Sequence, residues 1–301
     1  MRSKRLYGNT LLMITAMIWG SAFVAQSVGA DHVGPFTFTA ARSFVGGVVL
    51  IPVIFFMDAL GKKSGQNKPA GDRRTLVIGG IACGVALCIA SALQQAGISY
   101  GTSSGKAGFI TAMYILVVPL LGMFMGRRVR PVIWLCVIMS VVGLYLLCAA
   151  GGLGSVQMSD LLVVACAFCF AFHILIIDHF SPLVDGVRMS CIQFFVCGAL
   201  AAVPALITEE IVWADLVSAA VPVLYAGVMS SGVAYTLQIV GQKYSDPTVA
   251  SMIMSLESVF AVITGVIILH QIPTMREVLG CVIMFAAIII AQLPEKQKAH
   301  Q

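Results

Sequence analysis

Two charged side chains stand inside long apolar runs, and chemistry is to be sought there first. Glu257 lies about midway along the run 247–269, and Arg42 lies seven residues inside the run 35–57. A charge at mid-bilayer costs at least about 2.5 kcal/mol on insertion scales, so its presence asks for a reason. Glu257 could take up a proton, pair with a coupling cation or ligate a substrate amine; its plainer role is a hydrogen bond between helices. At 1.5 Å per residue Arg42 is roughly 10 Å deep, and Glu257 is only about 5 Å deeper. The two could pair, or both could line one cavity open to the outside. A guanidinium suits a substrate carboxylate, whereas an internal ion pair or snorkelling to the interface is the structural alternative.

The uncharged polar residues extend this set. Tyr114 joins an apolar ring to a hydroxyl, which suits a cavity wall. Gln94 and Gln238 sit near the outer and inner ends of their runs and could bond a substrate or simply a neighbouring helix. His173 falls mid-run and could relay protons or be a packed, hydrogen-bonded histidine. Trp19 and Tyr235 are candidates to line the path, although aromatic residues in helices more often pack. Lys106 opens its run and is expected to snorkel.

The elements that position these residues follow from composition. Of 301 residues, 59% are hydrophobic and only 10% are charged, with a mean hydropathy of +0.97. A soluble domain carries about 25% charged residues, so this chain cannot clothe a water-facing surface. Apolar runs and their Pro and Gly breaks predict spans at 8–28, 35–57, 75–97, 105–125, 131–150, 159–180, 187–207, 217–241, 247–269 and 275–293. The basic start and apolar run of 1–25 resemble a signal peptide, but nine further spans follow, and a retained first helix is expected. The formal charge of +5 does not form one patch, so no nucleic-acid partner is expected.

The Lys and Arg residues test the span count. With the N-terminus inside, Arg2, Lys4, Arg5, the five in loop 58–74, Arg127, Arg128, Arg130, Arg188, Lys243, Lys296 and Lys298 make 15 inner charges. Lys106 and Arg276 make 2 outer ones, and the acidic loop Glu209, Glu210, Asp215 also falls outside. This asymmetry obeys the positive-inside rule and implies cytoplasmic termini in a plasma or inner membrane.

The chain also repeats itself. Leu93-Gln94, Gly97 and Tyr100 echo Leu237-Gln238, Gly241 and Tyr244 at a constant shift. Cys136-Val137-Ile138-Met139 recurs as Cys281-Val282-Ile283-Met284, and Ala107, Tyr114 and Gly122 fall opposite Ala250, Glu257 and Gly265. Pro52 falls opposite Pro204. The expected fold is therefore all-α and integral to the membrane, with ten transmembrane helices as two inverted five-helix repeats, 1–150 and 151–301. An odd number of helices per half inverts the second half, an arrangement found in secondary transporters whose site lies near the midplane.

Other motifs carry less. Gly101 to Gly105 fits G-x-S-x-G, but sits between two membrane spans rather than on a strand–turn–helix. Gly105-Lys106 lacks the spacing of a phosphate loop. Cys166 and Cys169 form a lone CxxC inside a span, so neither metal nor cofactor is expected. Glycines four apart (Gly80 and Gly84, Gly97 and Gly101, Gly122 and Gly126) are expected to let helices approach.

Trp19-Gly20-Ser21-Ala22-Phe23, Arg42-Ser43-Phe44, the run Ala107 to Gly126, and above all Tyr235 to His270 with Leu256-Glu257-Ser258-Val259-Phe260 resemble EamA-type permeases of the drug/metabolite transporter superfamily. That family usually has proline after the glutamate, where this chain has Ser258. The resemblance implies a permease, not an enzyme, that exports or takes up small metabolites such as amino acids. Partners would be that substrate, a coupling proton or cation, and the lipid bilayer, for a monomer or homodimer. The competing readings are a membrane-embedded enzyme and a channel.

Overall fold

The structure is a computed structural model that describes residues 2–63, 72–102, 104–127, 129–148, 157–269 and 274–292. Among these residues every regular element is helical. The order is α1 (Arg2–Ala30), α2 (Pro35–Lys63), α3 (Arg73–Ser99), α4 (Ser104–Ala112), α5 (Tyr114–Phe124), α6 (Pro131–Cys148), α7 (Met158–Phe180) and α8 (Gly186–Thr208). Then come α9 (Trp213–Ser218), α10 (Ala220–Tyr225), a π-helical stretch (Ala226–Tyr235), α11 (Thr236–Gln242), α12 (Pro247–Met254), α13 (Glu257–Leu269) and α14 (Met275–Gln292).

Local chemistry sets the starts and stops. Pro35, Pro131 and Pro247 open their helices, where a missing N–H costs nothing. Asp72, Asp185 and Asp246 cap α3, α8 and α12 by accepting from backbone amides. The Thr75 hydroxyl and the amides of Arg74 and Thr75 hold the Asp72 carboxyl below its ordinary range. Gly101 and Gly126 take positive φ, 109° and 80°, so they end helices rather than pack them. Of the glycines expected in packing, Gly80, Gly84 and Gly97 do pack: an added Cβ would lie within 2.6 Å of Ile192, Val196 and Val163.

Seven helical segments are long and apolar enough to cross a membrane, and three shorter apolar ones, Pro131–Leu146, Pro247–Ala261 and Val278–Ala291, accompany them. Large apolar side chains such as Phe55, Phe56, Leu206 and Ile207 face outward, as lipid requires. Three of the expected spans are not single helices. The span at 105–125 is divided at Met113, that at 247–269 at Ser255-Leu256, and that at 217–241 runs through four segments.

The two halves of the chain interleave. α2 packs along α8, α3 along α7, α6 along α14, and α1 along α13, the π stretch and α11. α2 and α8 are fastened at both ends. At one end the Phe36 and Thr37 amides donate to the two Glu209 carboxylate oxygens at 2.8 Å. At the other, Arg188 pairs with Asp58; a separate ion pair joins Arg127, which follows α5, to Asp178 of α7. Lys106, His270, Lys296 and Lys298 carry expectations that lie outside the described side chains.

Candidate functional site

A space lies where the halves meet, with a free volume of about 30 Å³ and walls from α1, α2, α3, α4, α5, α7, the π stretch and α13. That is room for water, not for a metabolite. Six of the eight residues nominated from sequence line it: Trp19, Arg42, Gln94, Tyr114, Tyr235 and Glu257. Gln26, Thr111, Phe170 and Ser230 join them without having been nominated.

The Tyr114 hydroxyl donates to Glu257 Oε1 at 3.2 Å, so two residues that the internal sequence matches set opposite each other meet in the fold. Both begin a helix immediately after a break. Met113, before Tyr114, has φ −63° and ψ −9°; Ser255, two residues before Glu257, has φ −62° and ψ −13°. The chain tightens through both breaks, with the Met113 amide donating to the Ile110 carbonyl at 3.1 Å and the Leu256 amide to the Ile253 carbonyl at 3.2 Å. At the second break, the Ser251 and Ser255 hydroxyls donate back to the Thr248 and Met252 carbonyls at 2.8 Å, a competition that bends helices. Glu257 then sits in the first turn of α13, where the partial positive charge of a helix N-terminus favours a carboxylate.

Arg42 is 3% exposed. Among the described residues no carboxylate stands within ion-pair distance of it. Its guanidinium carbon lies 5.9 Å from the centre of the Phe38 ring. Arg42 and Glu257 thus share a cavity wall rather than a salt bridge. Trp19 packs on Tyr235 with ring centres 4.6 Å apart, and Phe194 and His173 meet the same tyrosine at 5.6 and 5.9 Å. Gln94 Nε2 donates to Thr111 Oγ1 at 3.0 Å.

The remaining two nominated residues stand elsewhere. His173 is behind Tyr235, its Nε2 donating to Gln193 Oε1 at 3.1 Å. Gln238 donates to Gln242 Oε1 at 2.9 Å, and Gln242 donates in turn to the Ile174 carbonyl at 3.0 Å. The π stretch explains the divergence from Gln94. It is wider per turn than an α-helix, so it rotates every later residue relative to the uninterrupted α3. π segments recur at functional sites, and this one brings Ser230 and Tyr235 to the cavity. Its close approach to α2 depends on small residues: a Cβ on Gly46 would lie 2.6 Å from the Ser231 side chain.

The family model described as the EamA-like transporter family matches residues 6–149 and again residues 157–292. An uncharacterised transporter of Archaeoglobus fulgidus is 29% identical over 296 residues, covering 96% of this chain and 87% of that protein. A second uncharacterised transporter of the same organism is 27% identical over 119 residues, 39% of this chain and 41% of that protein. A protein of known crystal structure shares the fold with a TM-score of 0.73 at 21% identity, over 94% of this chain and 96% of that one. Matched in both halves, the chain belongs to the EamA-like transporter family and is a multi-pass membrane transporter.

Proposed function

We propose that the chain is a secondary transporter of small metabolites, amino acids or related compounds, which works by alternating access around the cavity between its halves. The carrying observation is the cavity wall itself: a buried guanidinium without a carboxylate partner, facing the same space as the carboxyl of Glu257. Arg42 would hold the anionic group of the substrate. Glu257, with the one carboxyl in that wall among the described residues, would exchange a coupling proton or hold a cation. Gln94, Tyr114, Trp19 and Tyr235 would complete the pocket. His173 and Gln238 would act behind it, on the packing of Tyr235 and of α11.

The proposed architecture is ten transmembrane helices in two inverted repeats, 1–150 and 151–301. The packing supports it. Exchanging the halves turns the α3–α7 pair into the pair of α11 and the π stretch with α1, and it turns α4–α7 and α5–α7 into α12–α1 and α13–α1. The α2–α8 and α6–α14 pairs map onto themselves. Gly97 against Ser159 has its counterpart in Gly241 against Gly8. Both termini would be cytoplasmic in a cell membrane, which puts the Arg127 and Arg188 ion pairs inside and the Glu209 clamp outside. A cavity this small would have to widen to admit a metabolite, and rocking the halves would open it to either side. The breaks at Met113 and Ser255 give both halves a bend at the same depth.

Glu257→Gln keeps the shape and the Tyr114 contact but cannot exchange a proton. Transport in reconstituted vesicles should lose its pH dependence while the protein remains folded. An unchanged pH profile would sink the coupling role.

A further inference from the structure

We infer that Gln26 sets the substrate specificity of the cavity, selecting carboxylates that carry an N–H or O–H donor beside the anionic group. This rests on the reading of the cavity as the substrate site and goes beyond it by naming the selector and what it selects. Gln26 is 4% exposed and lines the cavity. Its Oε1 is fully buried and has no hydrogen-bond partner among the described residues. A buried polar atom left without a partner is a standing cost, and a polar ligand relieves it.

The main chain from which this side chain reaches is held in place. Gln95 Nε2 donates to the Gln26 carbonyl at 3.1 Å, which ties α1 to α3 at that level. Two neighbours on the wall offer the opposite polarity. Among the described residues Arg42 is a donor without an acceptor, and Trp19 Nε1 is buried and unpartnered. Donors from Arg42 and Trp19 fit an oxyanion; the acceptor Gln26 fits an N–H or O–H next to it. A plain carboxylate would satisfy the first set and leave Gln26 orphaned. Sites that present a buried acceptor reject ligands lacking the matching donor for that reason. Nothing about residue 26 in the sequence marks it, since an uncharged amide in a transmembrane helix usually bonds a neighbouring helix.

Three probes of nearly one size isolate the effect: propionate, L-lactate and D-lactate, which differ by a hydroxyl and carry no ammonium that Glu257 could hold. Their binding to the full-length protein in lipid nanodiscs is measured by ligand-dependent thermal stabilisation, for the wild type, Gln26→Leu and Arg42→Gln. The wild type should bind at least one lactate enantiomer about tenfold tighter than propionate, the value of one hydrogen bond at a site that otherwise leaves an acceptor unpaired. In Gln26→Leu, which removes the orphan at similar volume, propionate should bind as well as before and the tenfold preference should vanish. A preference that survives in Gln26→Leu overturns the role of Gln26 while leaving the cavity reading intact, provided that Arg42→Gln weakens all three. Failure of all three probes to bind the wild type, or binding unaffected by Arg42→Gln, overturns the cavity reading and this inference with it.

Discussion

Replacing Arg42 by Gln should raise the stability of the protein while lowering its affinity for anionic substrates. The opposite signs follow from the surroundings of the guanidinium. Taking a charge out of water costs several kcal/mol unless a partner compensates. Arg42 is buried and its described surroundings supply no carboxylate; its one aromatic contact, Phe38, is 5.9 Å away. Such a contact contributes roughly 1 kcal/mol near the limit of its range. Removing the charge should therefore stabilise the fold by about 1–3 kcal/mol once the lost contact is subtracted. For a chain of this size that corresponds to roughly 2–5 °C in Tm. Binding moves the other way, because truncating one partner of a desolvated charge pair costs about 2–5 kcal/mol, or roughly 30-fold or more in Kd. Thermal unfolding in detergent or nanodiscs reads the first effect without needing a substrate, and counterflow in vesicles reads the second. If Arg42 were instead half of a structural ion pair, the same change would destabilise the protein by about 3–5 kcal/mol. A fall in Tm would refute the reasoning.

Two further predictions concern the gates and the orientation. Reversing both Arg127 and Arg188 to Glu breaks the ion pairs with Asp178 and Asp58. Each exposed pair is worth about 0.2–1 kcal/mol, so the two together should shift the conformational equilibrium roughly twofold to thirtyfold toward the state open on that side. A cysteine at Ser230, in an otherwise cysteine-free background, should label correspondingly faster with an impermeant maleimide from the cytoplasmic face; an equal increase from the external face would count against an inner gate. A reporter fused after His300 should read cytoplasmic, and an external reading would overturn the proposed orientation.

What the sequence made legible was what depends on residue type over long stretches. Apolar runs located the helical spans, and the repeat shift paired Tyr114 with Glu257 before any geometry placed them 3.2 Å apart. The breaks were not legible. Neither Met113 nor Ser255-Leu256 is a proline or glycine, and the position after Glu257 holds Ser258. The second bend comes from serine hydroxyls that take backbone carbonyls away from the helix. An isolated serine in an apolar run does not declare which carbonyl it will take. Gln26 was missed for a related reason: its importance lies in a partner it does not have.

Gln94 and Gln238 take the argument furthest. A repeat shift assigns both the same role, yet only Gln94 faces the cavity. The difference is produced between residues 226 and 235, where the second half adopts a π-helix. The extra width per turn rotates Gln238 toward Gln242 and leaves Tyr235 packed against Trp19. The same asymmetry separates Arg42, in the first half, from Glu257, in the second. A strictly symmetric cavity would present like groups on both walls. A binding site that distinguishes the two ends of a small molecule requires the symmetry to fail, and it fails where the chain departs from the α-helix and where its two buried charges stand.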